Sequence, residues 1–165
     1  MERARRRDRG AFGQLFAAHR NMVFGLAVRL TADREVAHDV TLDAFAAAWA
    51  AVPRFRGESR FGTWVCGIAV HRAREALRAR GRQRERQPQI AAPPWTERAR
   101  LAVDRIDLER AIAELPPGAR EALLLRHVHG LSCAEAAVVL GVSAGTVKSQ
   151  TSRACALLRE KLPHE

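Results

Sequence analysis

Apolar residues recur at three- and four-residue steps in two blocks of this chain, and the aperiodic Pro- and Arg-rich stretch between them separates one block from the other. That pattern calls for helices, because a half-buried strand needs strict alternation and none is sustained here. In the first block Phe12, Leu15, Phe16, Val23, Phe24, Leu26 and Ala27 predict a helix from about Asp8 to Leu30, with Asp8 as its N-cap. Val36, Val40, Phe45 and Trp49 predict a second, from Asp33 to about Ala51, stopped by Pro53. On that helix Asp39 and Asp43 share an exposed face at i, i+4 spacing. The run 53–62 mixes turn formers, aromatics and arginines and reads as a structured loop that leads into a helix from Thr63 to about Arg80. Trp64, Ile68 and Leu77 suit its buried side, while His71, Arg74 and Arg78 fall on a common face suited to a phosphate backbone.

From Gly81 to about Val103 the period dissolves into Arg, Gln and Pro, including Pro93-Pro94, which reads as a linker. A second module begins near Asp107 with Leu108, Ile112 and Leu115 on one face, and breaks at Pro116-Pro117. Pro117 sits well in the first turn of a helix running to about His129, where Gly130 stops it. Ser132 and Glu135 form a capping box for a helix that reaches Leu140, Gly141 turns the chain, and Ser143 caps a last helix to about Leu162. A short helix, a tight Gly turn and a second helix bearing Lys148 and Arg153 make a helix-turn-helix. The expected fold is therefore all-α: a helical bundle over 1–80, a flexible linker over 81–106, and a helix-turn-helix domain over 107–165.

Lys and Arg total 28 against 18 acidic residues, a formal charge of +10 that favours a polyanionic partner, nucleic acid ahead of an anionic membrane surface. No stretch predicts membrane insertion, and no apolar core follows the Arg-rich start 1–9, which reads as a solvated tail rather than a targeting peptide. Cys66, Cys133 and Cys155 are odd in number and scattered, as in a reducing cytoplasm. His127, His129 and Cys133 lie within seven residues, yet on a continuous helix the two imidazoles point about 200° apart and no Cys-x-x-Cys completes a ligand set, so no metal is expected. No Ser/His/Asp arrangement, Gly-rich phosphate loop or carboxylate pair stands out, so neither catalysis nor a cofactor is expected.

The run from Leu115 through Pro116, Pro117 and Gly118 to Gly130, Leu131 and Ser132, followed by Leu140-Gly-Val-Ser-Ala-Gly-Thr-Val-Lys-Ser149, resembles the promoter-reading C-terminal domain of extracytoplasmic-function sigma factors of the sigma-70 family. Phe55-Arg-Gly-Glu-Ser-Arg-Phe-Gly-Thr-Trp64 and Ile68-Ala-Val-His-Arg-Ala73 resemble the strand-opening segment of the same family, in the expected order. The resemblance implies a non-enzymatic factor that binds core RNA polymerase, directs it to promoters and takes an anti-sigma factor as inhibitor. It implies that the first module binds the β′ clamp through Asp39, Leu42 and Asp43 and holds the melted minus-10 strand, and that the second binds the β flap and the minus-35 duplex. Phe55, Ser59 and His71 are then placed beside the captured strand, with Phe61 a further pocket candidate, Trp64 in the core, and Arg56, Arg74 and Arg78 near the backbone. For the duplex the candidates are Ser143, Thr146, Lys148, Ser149, Ser152 and Arg153, because major-groove edges present distinct donor and acceptor patterns and the α-helix N-terminus offers backbone donors to a phosphate.

Several positions depart from the family pattern. Glu-Asp and Gln-Glu of relatives stand here as His38-Asp39 and Leu42-Asp43, which predicts weaker hold on polymerase. The usual Asn of the strand-reading helix is His71, and the usual Ser-Arg-Leu-His-Arg-Ala-Arg run is Ser149-Gln-Thr-Ser-Arg-Ala-Cys155, which removes positive charge at Gln150 and Cys155 and puts Thr151 at a core-type position. An altered base preference and minus-35 sequence follow. The linker as relaxed coil of about 20 residues spans only ~25 Å, whereas elements about one and a half DNA turns apart need ~50 Å, so an extended tether is expected. Two other functions compete: a stand-alone helix-turn-helix regulator, and a metal- or thiol-responsive sensor.

Overall fold

A computed structural model describes the backbone of residues 1–86 and 103–162 and the side chains of 1–82 and 107–162. Every regular element among the described residues is helical. The chain divides into two compact units, Met1–Ala79 and Arg80–Glu165.

The first unit contains α1 (Glu2–Arg5), α2 (Arg9–Thr31), α3 (Arg34–Ala51) and the start of α4 (Phe61–Arg86), with a 3-10 turn at Val52–Arg54. Local chemistry sets the ends. Asp8 Oδ1 accepts from Ala11 N at 2.9 Å to start α2, and that bond, with Arg3 beside it, holds the Asp8 carboxyl below its ordinary value. Ala32, in the left-handed region at φ 55°, ends α2; Asp33 Oδ1 then accepts from Glu35 N and Val36 N to start α3. Thr31, buried at the corner, donates to Ala27 O at 2.8 Å and 3.0 Å to Asp33 O, so the turn between α2 and α3 leaves its hydroxyl satisfied. The two helices pack as an αα-hairpin through Val23, Leu26, Ala27 and Leu30 on α2 and Ala37, Val40, Ala44, Phe45 and Ala48 on α3.

Four sequence expectations change in this unit. The Arg-rich start is not a tail: Ala4 is fully buried, and Arg5 and Arg7 lie over the rings of Phe55 and Trp49. The third long helix begins at Phe61 rather than Thr63, which draws Phe61 into the core. It also continues to Arg86, through the expected start of the linker at 81, because Arg, Gln and Glu are good helix formers even without an apolar face. Leu77, expected on the buried side, is exposed at 39 %. Of the rest of the expected linker, 87–102 lie outside the described residues and 103–106 open the next α-helix.

The second unit holds α5 (Val103–Ala113), α6 (Pro117–Leu123), α7 (Cys133–Leu140) and α8 (Ala144–Lys161). Its centre is Leu115, Leu124, Leu125 and Val147, all fully buried. Arg120 donates to the carbonyls of Ala113 and Leu115, satisfying the end of α5, and Lys161 pairs with Glu114, whose carboxyl is held below its ordinary value by that contact. The expected helix from Pro117 to His129 is α-helical only to Leu123. A π turn over Leu124–Val128 follows, with His129 N donating to Leu124 O at 3.0 Å, five residues back.

Candidate nucleic-acid interface

α7 and α8 are built by three local devices. Ser132 Oγ accepts from Glu135 N at 3.1 Å while Glu135 Oε2 accepts from Ser132 N at 2.8 Å, the reciprocal box read from the sequence. Gly141, at φ 69°, closes α7, with its N–H and that of Val142 both donating to Ala137 O. Ser143 Oγ accepts from Thr146 N at 3.0 Å, opening α8. Val147, Thr151 and Ala154 then turn inward, and Lys148, Ser149, Ser152 and Arg153 are left together on the exposed side. Of the sequence candidates, these four share one stripe; Ser143 and Thr146 instead bind each other at the cap, with their hydroxyls 2.9 Å apart. Thr151 is buried without an unmet hydroxyl, because it donates to Val147 O at 2.8 Å. Gln150 is half-buried and lies against Gly118 at the start of α6, so it sits off the exposed stripe.

In the first unit the candidates separate by depth. His71 and Arg78 are exposed and Arg74 is half-buried, on one side of α4 with the half-buried Trp64 and Ile68. Trp64, expected in the core, packs against it without being enclosed. Phe55 and Phe61 are only 8 % and 6 % exposed; Phe61 is 5.2 Å from His19 and 6.2 Å from Phe12, and Phe55 is 4.7 Å from Trp64. Offered as candidates beside an unpaired strand, these two rings are buried, each packed among other rings of the unit. Arg56 is exposed and Ser59 half-buried on the loop between them.

On α3 Asp39, Leu42 and Asp43 are all exposed, and Leu42 at 53 % is an apolar centre between two acids. Sequence reasoning missed a comparable apolar surface on α7 and the turn after it, where Val138 is 84 % exposed and Val142 is exposed too. Its signal was the uninterrupted Ala-Ala-Val-Val-Leu run, too apolar for a helix with only one covered side. Among the described residues no group of three or more His, Cys, Asp and Glu side chains could hold a metal ion, and burial pushes the Cys66 thiol up to about 12. No helix among the described residues is long and apolar enough to cross a membrane.

Two family models match this chain in order: sigma-70 region 2 over residues 15–83 and sigma-70 region 4 over residues 105–158. The chain belongs to the sigma-70 family, in its extracytoplasmic-function class. It is 36 % identical to RNA polymerase sigma-H factor of Pseudomonas aeruginosa, covering 93 % of this chain and 87 % of the relative. It is 30 % identical to the extracytoplasmic-function RNA polymerase sigma-E factor of Haemophilus influenzae, over 98 % and 93 %. Among solved structures, the sigma factor RpoE from Bartonella quintana, in complex with the anti-sigma factor NepR, matches with a TM-score of 0.81 at 27 % identity, over 91 % of this chain and 95 % of that one. CnrH, in complex with the cytosolic domain of CnrY, matches with a TM-score of 0.74 at 29 % identity, over 96 % and 92 %. A region 2 module in front of the helix-turn-helix decides against a stand-alone regulator. This sigma factor directs RNA polymerase to promoters, and its family comprises initiation factors that are not enzymes.

Proposed function

We propose that this sigma factor, in the cytoplasm, divides promoter recognition between its two units. The second unit takes the minus-35 element as duplex, and the observation that carries the reading is the exposed stripe of α8. Lys148 and Arg153 supply charge for phosphates or guanine edges, and Ser149 and Ser152 supply hydroxyls that donate or accept, on a helix whose width suits the major groove. The same unit docks on the β flap.

The first unit holds core polymerase and the unpaired minus-10 strand. Asp39, Leu42 and Asp43 on α3 meet the β′ clamp, with Leu42 offering apolar burial where a polar residue is common in relatives. His71, Arg74 and Arg78 on α4 lie along the strand, with Arg56 and Ser59 of the preceding loop completing its path, while Phe55 and Phe61 support that loop from beneath. An anti-sigma factor, as in the complex of RpoE with NepR, is the inhibitory partner. A photo-reactive side chain at position 148 or at position 71 of the holoenzyme tests the division on fork-junction promoter DNA. Cross-links from 148 to the upstream duplex and from 71 to the unpaired non-template strand are expected; the same target for both positions would overturn it.

A further inference from the structure

Residues 1–7 take no part in the proposed promoter contacts, yet two of them, Ala4 and Arg5, are set into the first unit. Ala4 is fully buried, and Asp8 joins α1 to α2 by capping Ala11 N while accepting from Arg3 Nε at 2.8 Å. From this anchored turn Arg5 reaches the segment after the 3-10 turn, with its guanidinium carbon 5.7 Å from the centre of the Phe55 ring. Gly57, at φ 78°, lies against the same group: a Cβ there would stand 2.8 Å from Arg5 Nη2. Arg7 makes a second such contact, 6.0 Å from the Trp49 ring. Arg5 Nε is buried and has no hydrogen-bond acceptor among the described residues. The guanidinium is therefore held against the Phe55 ring and the backbone at Gly57 by its position over the ring and its fit beside the glycine.

We infer that Arg5 is a positioning residue for strand capture: its guanidinium, packed on Phe55 and Gly57, fixes the loop that presents Arg56 and Ser59. This rests on the proposal that the first unit holds the minus-10 strand. Loop residues that must meet a flexible single strand lose affinity when they have to be ordered during binding, and a guanidinium already lodged against the loop lowers that cost beforehand. Gly57 suits the loop first through its φ of 78°, which L side chains rarely adopt, and its missing Cβ leaves room for Arg5 Nη2.

The test uses the full chain with core polymerase and three measurements: affinity for core, affinity for a minus-35 duplex, and affinity for single-stranded DNA. Both DNA probes are selected by the unsubstituted holoenzyme from degenerate pools. Arg5→Met keeps the aliphatic stem over Phe55 without the fork, and Arg5→Lys keeps the charge without the flat group. Both are expected to capture the single strand about three- to tenfold less tightly, the range a lost stacked cation gives, with core and duplex affinities unchanged. Wild-type capture by Arg5→Met, or full rescue by Arg5→Lys, overturns the inference, the latter by showing a simple charge contact. Parallel loss of core binding also overturns it, because α1 then merely holds the unit together. If the unsubstituted holoenzyme selects no single strand while it binds core and duplex, the minus-10 reading of this unit fails, and the inference fails with it.

Discussion

Lys148→Ala combined with Arg153→Ala gives the clearest quantitative test of the duplex interface. Both side chains are exposed on α8 and neither forms an ion pair among the described residues, so each charge is available to displace a counterion from DNA. Each phosphate contact contributes about 0.9 to the slope of log affinity against log salt, so losing two lowers the magnitude of that slope by about 1.8. Between about 50 and about 200 mM salt, the affinity gap between unsubstituted and doubly substituted protein should then shrink roughly tenfold. Fluorescence anisotropy of the holoenzyme on a labelled minus-35 duplex, across a salt series, reads both numbers. Parallel salt plots would refute the phosphate assignment, and a slope change of about half that size would leave one of the two residues as a base reader.

Other substitutions test the remaining surfaces. Asp39→Arg with Asp43→Arg reverses the charges flanking Leu42 without touching the core, and should abolish co-purification with core polymerase while leaving the helical circular dichroism intact; retained co-purification would mean that another face binds. Leu124→Ala empties a fully buried site at the start of the π turn and should cost about 2–5 kcal/mol, lowering the melting midpoint of the second unit by ~10 °C or more while amide signals of 1–79 stay in place. Cys66, buried and with its thiol pushed up to about 12, should resist iodoacetamide at neutral pH in the folded chain and react only in denaturant. Rapid native labelling of Cys66 would contradict the packing of α4.

The starts of α2, α3, α7 and α8 were legible in the sequence because capping is local chemistry. Asp8, Asp33, Ser132 and Ser143 each accept from an N–H two or three residues ahead, and Glu135 accepts in return from Ser132 N. The exposed stripe of α8 was legible for a similar reason, since its period places Val147, Thr151 and Ala154 inside. What escaped depends on partners distant in sequence or on hydrogen-bond register. Arg5 and Arg7 look like a solvated charge run until Phe55 and Trp49 are brought beneath them. The π turn shifts a bond from Leu125 to Leu124 without altering the apolar pattern. The continuation of α4 to Arg86 was hidden because an absent apolar stripe reads as an absent helix, although the residues favour one up to the vicinity of Pro88. The burial of Phe55 and Phe61 was not legible because an aromatic near arginines fits a base pocket and a core equally well until its neighbours are known.

Transcription in vitro with purified core polymerase tests the central claim most directly. Added to core on a genomic fragment library, the protein should give transcripts with discrete start sites, each preceded by a shared pair of upstream sequence elements, and core alone should not. Transcripts with the same start-site distribution with and without the protein would contradict the account.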